Sequence, residues 1–329
     1  MLTRRKSLQI VSSALAMPFV SRRGWAQSWP TRPVTMIVAF AAGGPTDVMS
    51  RLFASAVSEK LGQQIVVENV PGGGGITGAL RVATAAPDGY VFLSAGIATL
   101  AQIQNLYERL AYNALTDFEP VGLVAELARV LIVSKDLPVS DLAEFITYAK
   151  ANHAKMQFGS GGAGSGPHVC AELLNSAMET RITHVPYRGS GPAMNDLIAG
   201  RIDFQCEQLS TAFPQIEGGK VKAIATLAPT RSPVFENLPT AHEQGLTDFD
   251  CTAWQAFVFP KGTPRAIVAR LARATSDAME TQALRERVIG FGGTVIAPNR
   301  RGPEYFAKFI VEEVEKWGKV IRAANIKAE

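Results

Sequence analysis

Cysteine is scarce in this chain: Cys170, Cys206 and Cys251 are the three among 329 residues. None sits in a CxxC pair, and an odd number of thiols cannot close a complete disulfide framework, so a disulfide-stapled scaffold is excluded. Each stands among apolar or small neighbours, the setting of a buried small hydrophobe rather than of a nucleophile. Histidine is nearly as sparse, with four residues. No HExxH and no close His/Cys/Asp set has zinc spacing, which leaves metal catalysis without visible ligands. There is no GxSxG elbow for an acyl-transfer nucleophile. No second carboxylate accompanies Glu207 at a separation suited to glycoside hydrolysis. No stretch reaches the ~18 consecutive apolar residues of a membrane helix.

Excess charge is also missing once the N-terminus is set aside. The formal charge is +4, but the first 26 residues hold Arg4, Arg5, Lys6, Arg22 and Arg23 and no acid, leaving 28 Lys+Arg against 29 Asp+Glu. The basic balance therefore describes a removable end, and no nucleic-acid surface is expected. That end has the layout of a secretion signal. TRRK precedes an apolar run at residues 8–20, interrupted by Ser and Pro18, and the small-x-small site Gly24-Trp25-Ala26 follows. Cleavage is expected after Ala26, by the general route or, given the paired arginines, by the twin-arginine route. With no cysteine there to carry a lipid, the mature chain is expected to be a soluble, monomeric periplasmic protein. Its 47% hydrophobic and 19% charged residues exclude a disordered chain.

The mature sequence alternates short β-branched runs with amphipathic stretches, which predicts an α/β fold of parallel sheets covered by helices. Strands are expected at 34–40 (VTMIVAF), 64–68, 90–94, 129–134 (RVLIVS), 156–160, 183–186, 202–206, 222–227 and 254–259. Helices are expected at 46–61, 76–85, 141–151, 168–178, 191–198, 264–280 and 302–323, with a short one near Thr211. The two βαβ regions separate near residue 130, and the late strand and terminal helices can complete the first. The expected organisation is a signal at 1–26, lobe 1 at 27–129 and 252–329, and lobe 2 at 130–251. Two crossings would then make a hinge beside an interdomain cleft.

Three glycine-rich turns stand at predicted strand ends, where open α/β sheets bind ligands. In the first, residues 41–48 (AAGGPTDV), Gly43 and Gly44 permit a tight turn, and Thr46 or Asp47 can cap the next helix while its free N–H groups face the cleft. An anion would be stabilised there; an ordinary capped turn reads equally well. The second, NVPGGGGITG, matches GxGxxG at Gly73, Gly75 and Gly78. The acidic partner that a dinucleotide site needs at the end of strand 90–94 is absent, so close packing or cleft shaping explains these glycines. The third, FGSGGAGSGPH at residues 158–168, offers the Ser160 and Ser165 hydroxyls with backbone N–H groups, a neutral donor set for a carboxylate. His168 reads as a cap or donor. Further on, Tyr187, Arg188, Gly189 and Ser190 follow a strand; Arg188 could pair with an acid or face solvent. Glu207 ends the next strand and could meet a ligand amine or hydroxyl, or cap a helix. The set is receptive rather than reactive, so no enzyme and no cofactor is expected.

The order of these segments resembles the periplasmic solute-binding receptors of tripartite tricarboxylate transport systems. The likeness runs through WPTRPVTMIVAFAAGGPTDVMSR, IVVENVPGGGGITGA, PDGYVFL and FGSGGAGSGPH, then HVPYRGSGPAMNDLIAGRIDF, GGKVKAIAT, LPTAHEQG and WQAFVFPKGTP. It implies a two-lobed type II periplasmic binding protein with a hinged cleft that closes on a small organic acid. The first pocket loop would be Ala41, Ala42, Gly43, Gly44, Thr46 and Asp47, and the lobe 2 loop Ser160, Gly161, Gly164, Ser165 and His168. Tyr187, Arg188, Gly189, Ser190 and Glu207 would shape the distal part. The partners it implies are the large and small membrane subunits of the transporter. Two places depart from the family pattern: Trp254-Gln255-Ala256 stands where the family often has a glycine after the tryptophan-containing strand entry, and Cys206-Glu207 stands where an aspartate is common. Two other readings keep the same pocket: a sensor presenting its bound acid to a signalling partner, and an exported enzyme acting on an acid.

Overall fold

The computed structural model describes residues 29–327; the expected secretion signal and its cleavage site lie outside the described residues. Two mixed sheets organise the chain. β1 (Val34–Val38), β2 (Ile65–Asn69), β3 (Val91–Gly96), β4 (Phe118–Leu127), β10 (Ala253–Pro260) and β11 (Gly293–Val295) form the first, in the order β11-β4-β10-β3-β1-β2. β5 (Arg129–Ser134), β6 (Gln157–Ser160), β7 (Thr183–Pro186), β8 (Phe204–Gln208) and β9 (Val221–Thr226) form the second, in the order β7-β6-β8-β5-β9.

The expected parallel pairing holds for β1 with β2 and β3, and for β6 with β7 and β8. β5 runs antiparallel to β8 and β9, and β10 antiparallel to β3 and β4. These reversals occur at the strands through which the chain changes sheets. Ala128 alone separates β4 in the first sheet from β5 in the second. The return passes beside this exit: the Leu227 N–H donates to the Arg129 carbonyl (2.8 Å), and the Cys251 N–H to the Leu227 carbonyl (2.9 Å). Two adjacent crossings restrict relative movement of the sheets to bending about one line.

Helices cover the sheets: α1 (Pro45–Leu61), α2 (Ile76–Ala83), α7 (Arg265–Met279), α8 (Gln282–Gly290) and α9 (Pro303–Ala323) belong with the first. α3 (Leu142–Asn152), α4 (Gly166–Met178), α5 (Ser190–Ile198) and α6 (Leu209–Glu217) belong with the second. Local signals set their ends. Asp141 accepts the Glu144 N–H at 2.8 Å while the Glu144 carboxylate takes the Ser140 N–H and hydroxyl, a reciprocal cap that starts α3. Gly62 in the left-handed region closes α1. The three cysteines are buried and unbridged, all in the core of the second lobe.

The first core centres on aromatic rings. Phe257 of β10 meets Phe92 edge-on at 5.3 Å between centroids and Phe53 of α1 at 6.1 Å, and all three are fully buried. Because Phe257 joins the returning strand to a sheet made mostly by the first hundred residues, Phe257→Ala should lower unfolding free energy by about 3–5 kcal/mol. Urea unfolding would check this; a loss below 1 kcal/mol would show that the return strand is not anchored there.

Candidate functional site

The strand ends that carry the glycine-rich turns converge between the two sheets on one cavity. About 40 Å³ of it is open to the centres of water-sized molecules, enough for several waters or a compact ligand. Phe40, Gly44, Thr46, Ile97, Trp254 and Gln255 contribute from one side, and Arg129, Gly161, Ser165, Gly166, Ser190 and Gln208 from the other. Three helices begin at this cavity: α1 after Gly44, α4 after Ser165 and α5 after Gly189, none with a side-chain cap. Each N-terminus presents unsatisfied N–H groups and about half a positive charge.

A full positive charge joins them. Arg129, 3% exposed, lines the cavity, and its Nη1 has no hydrogen-bond partner. Gly166 makes room for it: a Cβ there would lie 2.0 Å from the guanidinium. The Ser165 hydroxyl and the Gln208 Oε1 are likewise buried and unpartnered. No aspartate or glutamate is among the residues lining this cavity. Buried polar groups are costly unless something completes them, and the guanidinium and helix N-termini give this cavity a polarity that suits an anion.

Comparison with known proteins places this geometry. Residues 49–326 match the model of the tripartite tricarboxylate transporter family receptor. The chain belongs to this receptor family. A relative from Agrobacterium vitis, described as a UPF0065 protein in the TAR-I ttuE-ttuC' intergenic region, is 39% identical, the match covering 97% of this chain and 91% of the relative. The periplasmic binding protein BugD superposes with a TM-score of 0.88 at 34% identity, over 92% of this chain and 100% of its own. MatC from Rhodopseudomonas palustris, solved with bound malate, superposes at 0.86 with 38% identity, over 89% and 100%. The two-domain α/β fold is thus that of type II periplasmic binding proteins. The family's members are periplasmic receptors for transport rather than enzymes.

In this receptor, the expected residues divide by what they touch. Gly44, Thr46, Gly161, Ser165 and Ser190 line the cavity; Ala42 and Gly43, again with Ser190, line an adjoining, more open groove. Ala41 stands against Gly189, where a Cβ would approach within 2.9 Å of it, so these two form a contact between the lobes. Asp47 lies behind the first loop. Its carboxylate accepts the Gly43 N–H at 2.9 Å, the Arg51 Nε at 3.0 Å and the Asn69 amide at 2.9 Å. Burial pushes its pKa up, but these bonds outweigh it and hold the group below the ordinary carboxylate value.

Ser160, Gly164 and His168 brace the second loop from behind. The Ser160 hydroxyl takes the Gly162 N–H (3.0 Å) and lies 2.6 Å from His184 Nε2, and the Gly164 N–H donates to His168 Nδ1 at 3.1 Å. Burial lowers the His184 pKa to about 4, so that ring is neutral at physiological pH. Tyr187 points instead to Asp196 (2.7 Å), which together with burial raises its pKa to about 12. Arg188 is exposed and does not line the cavity. Glu207 is fully buried beneath the wall, where it accepts the Gln208 N–H at 2.8 Å and the Gln205 amide. Burial raises its pKa, against the opposing pull of the Gln208 N–H, Arg129 and the Ser190 hydroxyl.

Arg129, Gln208 and Gln255 were not expected as site residues. The available signal for Arg129 was a charge opening an otherwise apolar strand; for Gln255 it was its place in the Trp254-Gln255-Ala256 segment, which departs from the family pattern. Trp254 completes the wall, held by its indole N–H bond to Glu313 of α9 (2.7 Å).

Gly74, in the glycine run before α2, sits at φ +64°, and a Cβ there would lie 1.9 Å from the Ala163 carbonyl of the opposite lobe. Gly74→Ala should therefore wedge the lobes apart, raising the radius of gyration in small-angle scattering; an unchanged radius would count against this contact as the closure point. Asp47→Asn should cost about 1.5–3 kcal/mol at neutral pH by weakening charge-assisted bonds. Because the folded pKa is depressed, the wild type's contribution is present above about pH 4 and is lost as pH falls through the folded value. Denaturation at a series of pH values should thus show a shallower acid decline in the variant; parallel profiles would contradict the assignment.

Proposed function

We propose that this receptor captures a compact organic acid bearing two carboxylates by closing its lobes around it. It then presents the closed form to the large and small membrane subunits of its transporter. The observation that carries this reading is the cavity between the sheets, at which three helices begin and Arg129 keeps an unpartnered Nη1, with no acid among its lining residues. Three half-charges and one full charge give the walls positive polarity, opposed only from behind by the buried Glu207, and a dianion suits it. The malate bound in MatC, 38% identical, supports the same ligand class.

The two lobes in this reading are residues 27–129 with 252–329, and residues 130–251. The acid docks on the donors of one lobe, and those of the other engage on closure. This added contact is the differential affinity that shifts the open-closed population. Asp47 on one side and Ser160, His168 and His184 on the other keep the two donor loops in shape, so little ordering is left for binding to supply.

The test has two stages. Mass spectrometry of small molecules released from gently purified, then denatured, protein should reveal an acid, and calorimetry with a panel of small acids should give saturable binding. Ser165→Ala should weaken the best acid about fivefold, as expected for one neutral hydrogen bond, and should leave the fold intact because this hydroxyl makes no capping bond. Arg129→Gln should weaken it about 30-fold or more, because the acid loses its buried charge partner. Absence of any saturable acid from both experiments would refute the proposal.

A further inference from the structure

We infer that the bound acid carries a hydroxyl group, and that the side-chain oxygen of Gln255 selects for it. This rests on the carboxylate reading and narrows it. Gln255, 2% exposed, lines the cavity from β10. Its Nε2 lies 2.7 Å from Ser94 Oγ, 3.0 Å from Ser50 Oγ and 3.4 Å from the Thr46 carbonyl.

The available protons fix which end of the amide points where. Ser50 Oγ is 2.6 Å from the Thr46 carbonyl, which can only accept, so the single Ser50 proton goes there. At its 2.9 Å contact with Ser94, Ser50 must then accept, and the Ser94 proton is used in turn. Both hydroxyls face Gln255 as acceptors, as does the Thr46 carbonyl. An amide oxygen in that place would meet the lone pairs of Ser50 and Thr46. The nitrogen therefore points inward, and the carbonyl oxygen is the edge left for the cavity.

A carboxylate cannot satisfy this oxygen; the guanidinium, the Ser165 hydroxyl and the helix N-termini are what receive carboxylates. An acceptor facing an all-acceptor ligand would lose its water without replacement, so the ligand that fits brings a proton of its own. An ammonium would bring one, but with a charge that Arg129 and three helix N-termini repel. A hydroxyl brings it without charge.

Calorimetry on the mature receptor with malate, succinate and aspartate tests this. Malate should bind at least tenfold more tightly than succinate, and aspartate more weakly than malate. Gln255→Met, close to the native volume, should bring malate down towards the succinate level and change succinate less than threefold. Ser94→Ala, which removes the oxygen 2.7 Å from the Gln255 amide nitrogen and so frees the amide to turn, should reduce the same preference, and serves if the first variant fails to fold. Equal wild-type affinities for malate and succinate, a preference unaltered in both variants, or aspartate exceeding malate would overturn the inference. If none of the three binds, the acid released on denaturation decides: one with a hydroxyl upholds the inference, and one without it overturns this inference alone. No acid at all overturns the carboxylate reading beneath it.

Discussion

Gathering a guanidinium and three helix N-termini around one buried cavity is unfavourable until an anion joins them. The two sheets divide that positive polarity: α1 begins on one side of the cavity, and Arg129, α4 and α5 stand on the other. In the proposed closure the two halves meet only in the closed form, which links closure thermodynamically to the arrival of negative charge. The backbone at Gly74, Gly166 and Gly189 keeps the necessary approaches free of side chains.

The hinge belongs to the same logic. Arg129 is the first residue of β5, one residue beyond β4, and its carbonyl receives the hydrogen bond from the returning segment at Leu227. The principal cation of the site is thus fixed to the line about which the lobes bend, where bending displaces it least.

Much of the fold was legible in the sequence. Runs such as VTMIVAF and RVLIVS became β1 and β5, and the helix periods at 46–61 and 302–323 fall within a residue of the observed elements. β4 was not foreseen. Its sequence FEPVGLVAEL breaks alternation with Pro120 and Gly122, yet it lies between β10 and β11; a register shift accommodates the Pro120 region, as bulges permit. The antiparallel strands were missed because direction is set by where the chain crosses between sheets, which no local pattern records. In the site, Gly44, Thr46 and Ser165 were readable because turns after strands point to clefts. Arg129, Gln208 and Gln255 lie within strands, where only the assembled sheets decide which strand ends meet. Ser160 and His168 were placed in the right loop, but on its back.

Trp254 gives the cavity an outlet to the far side of its lobe. Trp254 lines the cavity, and its indole N–H is held by Glu313, which also takes the Trp317 N–H at 3.2 Å. Glu313 belongs to α9 and faces solvent-exposed Lys316 at 3.5 Å. The surface of the last helix, remote from the acid itself, lies one hydrogen bond from that wall.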